Sequence, residues 1–170
     1  MCFNNWKRID RMLWIAIVIV LIGIDRYTKY LIIQNISYGE RISVIGDFFH
    51  LTNHDNYGAA WGIFKNGRYF FIAMTILVSI AIIVVLIKTK SRFLKLALSV
   101  LLGGAAGNLI DRIFRGGVTD FLDFYIGSYH FPTFNAADMC VVAGTILLAI
   151  YMLFIYKEPE KNAVKSNDEN

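Results

Sequence analysis

Four long apolar runs separated by polar stretches set the pattern of this chain. The first, MLWIAIVIVLIGI at 12–24, is interrupted by DRYTK at 25–29 and resumes to residue 33. At 1.5 Å of rise per residue, 12–33 is long enough to cross a ~30 Å hydrocarbon layer as a helix. The second, 69–87, is apolar without interruption. The third, 93–113, turns polar near its end, where Asn108, Asp111 and Arg112 follow a Gly103/Gly107 pair at the GxxxG spacing that lets helices approach. The fourth, 134–156, opens with Asn135 and Asp138, spaced to share a helical face. The polar stretches differ from one another. RISVI (41–45) and FFHLT (48–52) flank Gly46-Asp47 and predict a β-hairpin. NHDNYGAAWGIF (53–64), with small residues, Trp61 and Phe64, predicts a short interfacial helix. Residues 115–133, with Gly116-Gly117, Gly127 and Pro132, read as a loop.

The expected fold class is all-α integral membrane, with four transmembrane helices (12–33, 69–87, 93–113 and 134–156), a small extracytoplasmic β-hairpin and a short interfacial helix. Residues 1–156 form one domain and 157–170 a polar tail. Composition strengthens this reading: 56% of residues are hydrophobic and 18% charged, with a mean hydropathy of +0.52, outside the usual range for a soluble domain. The net charge of +4 does not indicate nucleic-acid binding, because the basic residues sit in short clusters beside the apolar runs. Four spans place Lys7, Arg8 and Arg11, the cluster Lys88, Lys90, Arg92 and Lys95, and Lys157, Lys161 and Lys165 on one side. That predicts cytoplasmic termini and outward-facing segments at 34–68 and 114–133. The basic start imitates a secretory signal peptide, but DRYTKY follows where a small-residue cleavage site would stand. Cys2 and Cys140 imply no disulfide framework, and His50 and His54, lacking a third nearby ligand, read as loop histidines with no metal.

Charge inside a bilayer needs a partner or a function. Asp25 and Lys29, at i and i+4, can pair with each other, and Arg112 beside Asp111 reads as a second brace. Asp123 reads as an exposed loop acid. Asp120 and Asp138 are left without an obvious cation. Two such carboxyls close together share a proton, so one can activate water while the other polarises a carbonyl, as in an aspartic-protease dyad. The alternative is that Asp138 caps the fourth helix and Asp120 caps a turn.

DRYTK (25–29), NYGAAWGIF (56–64), GGAAGNLIDR (103–112), VTDF (118–121) and FPTFNAAD (131–138) together resemble the motif set of the lipoprotein signal peptidases (signal peptidase II), in order and at similar spacing. The resemblance implies a bacterial cell-membrane aspartic endopeptidase that removes signal peptides from prolipoproteins. It would cleave on the N-terminal side of a diacylglyceryl-modified cysteine, with its active site near the outer face. It implies Asp120 and Asp138 as the catalytic pair. Asn56, Asn108, Arg112 and Asn135 would bind substrate or orient the pair, and Asp25, Lys29 and Asp111 would give structural support. The implied partners are lipid-modified signal peptides and membrane lipids, with the protein a monomer using no cofactor. Arg26 stands where Gln is common in the family and Trp61 where Phe is common. Two other classes fit less well. A small proton- or ion-coupled transporter predicts acids near the bilayer midplane and internal repeats, and a lipid-binding scaffold gives no reason for the unpaired aspartates.

Overall fold

The computed structural model describes residues 2–58 and 67–157, with side chains from Asp10 onward. It contains helices α1 (Cys2–Asn35), α2 (Arg68–Lys88), α3 (Arg92–Phe114) and α4 (Ala136–Ile150), the last continued by a π-helical turn at Tyr151–Ile155. Strands β1 (Arg41–Ile45), β2 (Phe49–Asn56), β3 (Val118–Ile126) and β4 (Tyr129–His130) form one sheet.

Helix α3 packs against α1, α2 and α4, and its small residues make that possible. A Cβ on Gly103 would lie 2.9 Å from the Leu21 Cβ of α1, and one on Gly107 would lie 2.7 Å from Asp25 Oδ2. On another side of the helix, a Cβ on Gly104 would meet the Ala137 carbonyl and the Cys140 Cβ of α4. Gly144 returns the contact, its Cβ position falling 2.6 Å from the Leu101 backbone nitrogen. Ser91 caps the start of α3 by accepting from the Leu94 amide at 3.3 Å, which satisfies one of the free N–H groups of the first turn. Among the described residues, three helices are long and apolar enough to cross a membrane: Arg68–Lys88, Arg92–Phe114 and Ala136–Ile155. On α2 only Ile82 is buried, and a helix apolar on all sides that packs on one neighbour and leaves most of its surface uncovered is suited to lipid.

The sheet is antiparallel in the order β1-β2-β3-β4, with Ile42 opposite Leu51, His50 opposite Asp123, and Asn56 opposite Val118. Phe134 then folds back on β3: the amides of Phe121 and Leu122 both donate to its carbonyl, at 3.0 and 2.9 Å. That return sets the start of α4 beside the middle of β3. Ile32 and Ile36 at the end of α1 pack on Phe121, anchoring the sheet to the helices.

Several expectations are corrected. The fold is mixed helix and sheet rather than all-α. Residues 118–126 are not loop but strand; VTDFLDFYI is rich in β-branched and aromatic residues, and the flanking glycines only bound it. Residues 53–56 extend β2 instead of starting a helix, and 59–64 lie outside the described residues. The fourth helix begins at Ala136, not residue 134. His50 and His54 lie on β2, where their rings meet those of Tyr125 and Tyr38. Asp123 is fully buried rather than exposed, paired with Arg41 at 2.8 Å and His130 at 2.6 Å. The two partners come from other strands of the sheet, Arg41 from β1 and His130 from β4, and they cover the carboxylate.

Candidate active site

Four elements converge to supply the polar residues of the site. Asp120 lies on β3 and Asn56 ends β2; Asn108 and Arg112 lie on α3 one turn apart; Asn135 caps α4 and Asp138 sits in its first turn. Asn56, Asn108, Arg112, Asp120 and Asp138 line one cavity of about 280 Å³, whose apolar wall includes Val141, Val142, Phe131 and Phe134. Asn135 is fully buried and joins both carboxyls to the cap of α4.

Every carboxyl oxygen of the pair has a donor. Asp120 Oδ1 accepts from Asn135 Nδ2 at 2.6 Å and its Oδ2 from Asn56 Nδ2 at 3.0 Å. Asp138 Oδ1 accepts from Asn108 Nδ2 at 2.7 Å and its Oδ2 from the Asn135 backbone amide at 3.1 Å. The Asn135 side-chain oxygen accepts from the Asp138 amide at 3.0 Å, completing a capping box. The helix cap and the proposed chemistry therefore use the same atoms, and the two readings of Asp138 are not exclusive. Burial, and after it the neighbouring Asp138 charge, raises the Asp120 pKa to about 7; the donors from Asn56 and Asn135 and the Lys29 charge offset only part of that rise. Near neutral pH this carboxyl is poised between its two forms.

Beneath the cavity lies a second layer of charge. Lys29, fully buried, reaches Asp25 at 3.0 Å and Asp111 at 2.8 Å. Arg26 pairs with Asp111 at 2.6 Å, and Asp25 accepts from the Ala137 amide at 3.0 Å. The layer ties α1 to α3 and α4. It also corrects one expected pair: Asp111 turns to α1, not to Arg112. Adjacent residues on a helix do not face each other, so Asp111 points to Arg26 and Lys29 while Arg112 points to the cavity. The Arg112 guanidinium lies 5.1 Å from the Phe71 ring centre, and its carbonyl accepts from Arg68 Nε at 2.8 Å. In the sequence Arg26 stands out only as a departure from the family pattern, and Arg68 not at all. Their partners lie on other helices, so no i, i+4 spacing betrays them. Gly58, whose amide donates to Asn56 Oδ1 at 2.9 Å, is visible there only as one of several small residues.

A protein family described as Signal peptidase (SPase) II matches residues 17–154. The chain is 47% identical over 153 residues to the lipoprotein signal peptidase of Brevibacillus brevis, covering 89% of this chain and 99% of that one. It is 43% identical to the lipoprotein signal peptidase of Bacillus pumilus at the same coverage. Among solved structures it is similar to a bacterial membrane enzyme determined by the in meso method at 2.3 Å resolution. There the TM-score is 0.79 and the identity 38%, covering 90% of this chain and 94% of that one.

Proposed function

The chain belongs to the signal peptidase II family, the peptidases of prolipoprotein signal peptides, and on that premise we propose that Asp120 and Asp138 are its catalytic pair. It is a multi-pass membrane hydrolase. The observation that carries the assignment is the pairing of two carboxyls on one cavity, each oxygen held by a fixed N–H donor and the two joined through Asn135. In the singly protonated pair, the ionised carboxyl takes a proton from water as the oxygen attacks the scissile carbonyl. The protonated carboxyl donates to the carbonyl oxygen, giving a gem-diol. As that collapses and the C–N bond breaks, the first carboxyl passes the proton it took from water to the amine nitrogen, and a gem-diol hydroxyl returns a proton to the second.

The scissile bond is the one preceding the diacylglyceryl-modified cysteine of a prolipoprotein. Val141, Val142 and Phe131 offer an apolar wall beside the carboxyls, along which the thioether-linked lipid would lie while its chains remain in the bilayer. Arg112, Asn108 and Asn56 line the same space and would hold substrate carbonyls and orient the pair. The chemistry needs only the two carboxyls and water, and the enzyme would act as a monomer in contact with membrane lipids.

In this reading α1 is a fourth span. The residues that make it polar, Asp25 and Lys29, are buried against α3 rather than exposed to lipid. Lys88, Lys90, Arg92 and Lys95 lie at or near the α2–α3 turn, and Lys95 reaches Asp10 of α1 at 2.5 Å, so these groups share one end of the bundle. With that end cytoplasmic, both termini are cytoplasmic and the sheet and cavity lie at the outer face of the bacterial cell membrane. The test is incubation of purified protein with matched lipidated and unlipidated precursors. Cleavage of only the lipidated form is expected; equal cleavage of both would remove the lipid from the recognition.

A further inference from the structure

Lys29 does more than balance buried acids. Besides Asp25 and Asp111, its Nζ donates to Asn108 Oδ1 at 3.1 Å, and Asn108 Nδ2 donates in turn to Asp138 Oδ1 at 2.7 Å. An ammonium has donors and no acceptor. Asn108 must therefore present its oxygen to Lys29, which leaves its N–H₂ facing Asp138. The other two asparagines are fixed the same way, but by backbone amides: Asn56 through Gly58 and Asn135 through Asp138. Of the three, Asn108 alone depends on a side chain for its orientation, and that side chain comes from a different helix.

We propose that Lys29 is a positioning residue of the catalytic pair: it locks the Asn108 amide so that Asp138 is held as a hydrogen-bond acceptor, the form able to take the proton of the attacking water. Without the ammonium, rotation of the Asn108 amide by half a turn would set its oxygen against Asp138. That orientation repels the ionised carboxylate and favours the protonated one. The inference rests on the assignment of Asp120 and Asp138 as the working pair.

Removing Lys29 alone leaves Asp25 and Asp111 buried with one cation, Arg26, so the informative variant keeps the layer neutral. In Asp25→Asn/Lys29→Met, Arg26 and Asp111 balance each other, and the amide oxygen introduced at position 25 can still accept from the Ala137 amide. A double-mutant cycle between Lys29→Met and Asn108→Ala, run with and without Asp25→Asn, reads kcat and KM on a lipidated precursor. With Asn108 present, Lys29→Met should lower kcat by about tenfold or more and leave KM within about twofold; with Asn108→Ala the same change should cost less than about twofold. An equal loss in both backgrounds, or no loss, overturns the proposal. So does failure of Asp25→Asn/Lys29→Met to yield folded protein where Asp25→Asn does, since Lys29 would then be needed for the fold even with the layer neutral. Failure of the underlying assignment shows separately, as cleavage that survives Asp120→Asn or Asp138→Asn.

Discussion

The Asn135 side chain donates to Asp120 Oδ1 at 2.6 Å across the join between β3 and α4, while its own backbone amide donates to Asp138. One residue thus fixes both carboxyls and caps the helix that carries one of them. Asn135→Ala should lower kcat by ~10²–10³-fold, the usual cost of removing one preorganised donor, and destabilise the protein by about 1 kcal/mol through the lost cap. Asn135→Asp separates the two jobs. Its carboxylate can still accept from the Asp138 amide but sets a third acid against Asp120. It should melt above Asn135→Ala yet be equally slow. Thermal melting and kcat measured on the same preparations check this, and an Asp variant with near-normal kcat would contradict it.

Burial and the nearby Asp138 charge hold the Asp120 pKa up at about 7, against an ordinary value of 3.8. The protonated form is favoured on folding, so the folded state binds more protons between those values and loses stability as pH rises through that window. Activity that needs one proton on the pair should fall as pH rises through about 7. Asp120→Asn should abolish cleavage, by at least ~10³-fold, and should melt above the unmodified protein at pH 8 by more than it does at pH 5. A melting difference that does not change with pH would show that Asp120 is not buried in the way described.

Much of this was legible in the sequence, and the failures share a cause. Apolar runs of membrane length, a Gly-Asp turn between β-prone segments and the i, i+3 spacing of Asn135 and Asp138 all report local geometry, and local geometry is what periodicity encodes. Among the described residues, three of the helices are long and apolar enough to cross a membrane. The features that the sequence hides depend on contacts between distant segments. Asp123 reads as a loop acid because its partners, Arg41 and His130, come from other strands. Asp111 and Arg112 read as a pair because they are adjacent, yet neighbours on a helix do not face each other. The resemblance to a family named Asp120, Asp138 and their neighbours, and the structure sets five of those six residues around one cavity, with Asn135 behind it. No spacing along the chain pairs Arg26 with Asp111.

Arg26 pairs with Asp111 at 2.6 Å, and its side chain keeps 29% of its exposure. Lys29 also reaches Asp111, so removing Arg26 weakens the buried carboxylate's compensation without eliminating it. Arg26→Ala should cost about 1–2 kcal/mol, less than the loss of a fully buried partner because the guanidinium is partly solvated. Arg26→Gln, which retains a donor, should cost less. Because Arg26 does not line the cavity, kcat for both variants should stay within about threefold of the parent, in contrast to variants of residues that touch the carboxyls. Chemical denaturation in detergent, paired with cleavage assays, separates the two effects.

The approach of α3 to α4 sets the distance over which Asn108 reaches Asp138, and Gly104 governs that approach. A Cβ at Gly104 would lie 2.9 Å from both the Cys140 Cβ and the Val141 backbone nitrogen, and closer still to the Ala137 carbonyl. Backbone cannot move aside as the end of a side chain can, so α4 must shift as a unit. Asp138 directly follows Ala137 and moves with it, while Asn108, one turn beyond Gly104, stays with α3. Gly104→Ala should therefore destabilise the protein by about 1–3 kcal/mol through overpacking and lower kcat by ~10²-fold, the scale expected for a displacement near 1 Å at a reacting group. Gly23 provides the comparison within the same bundle: it is helical, yet a Cβ there meets nothing within 4 Å. Gly23→Ala should leave kcat unchanged and raise stability by as much as about 1 kcal/mol, the helix-propensity gain of alanine over glycine. Equal effects of the two alanines on cleavage would mean that the α3–α4 spacing does not set the geometry of the pair.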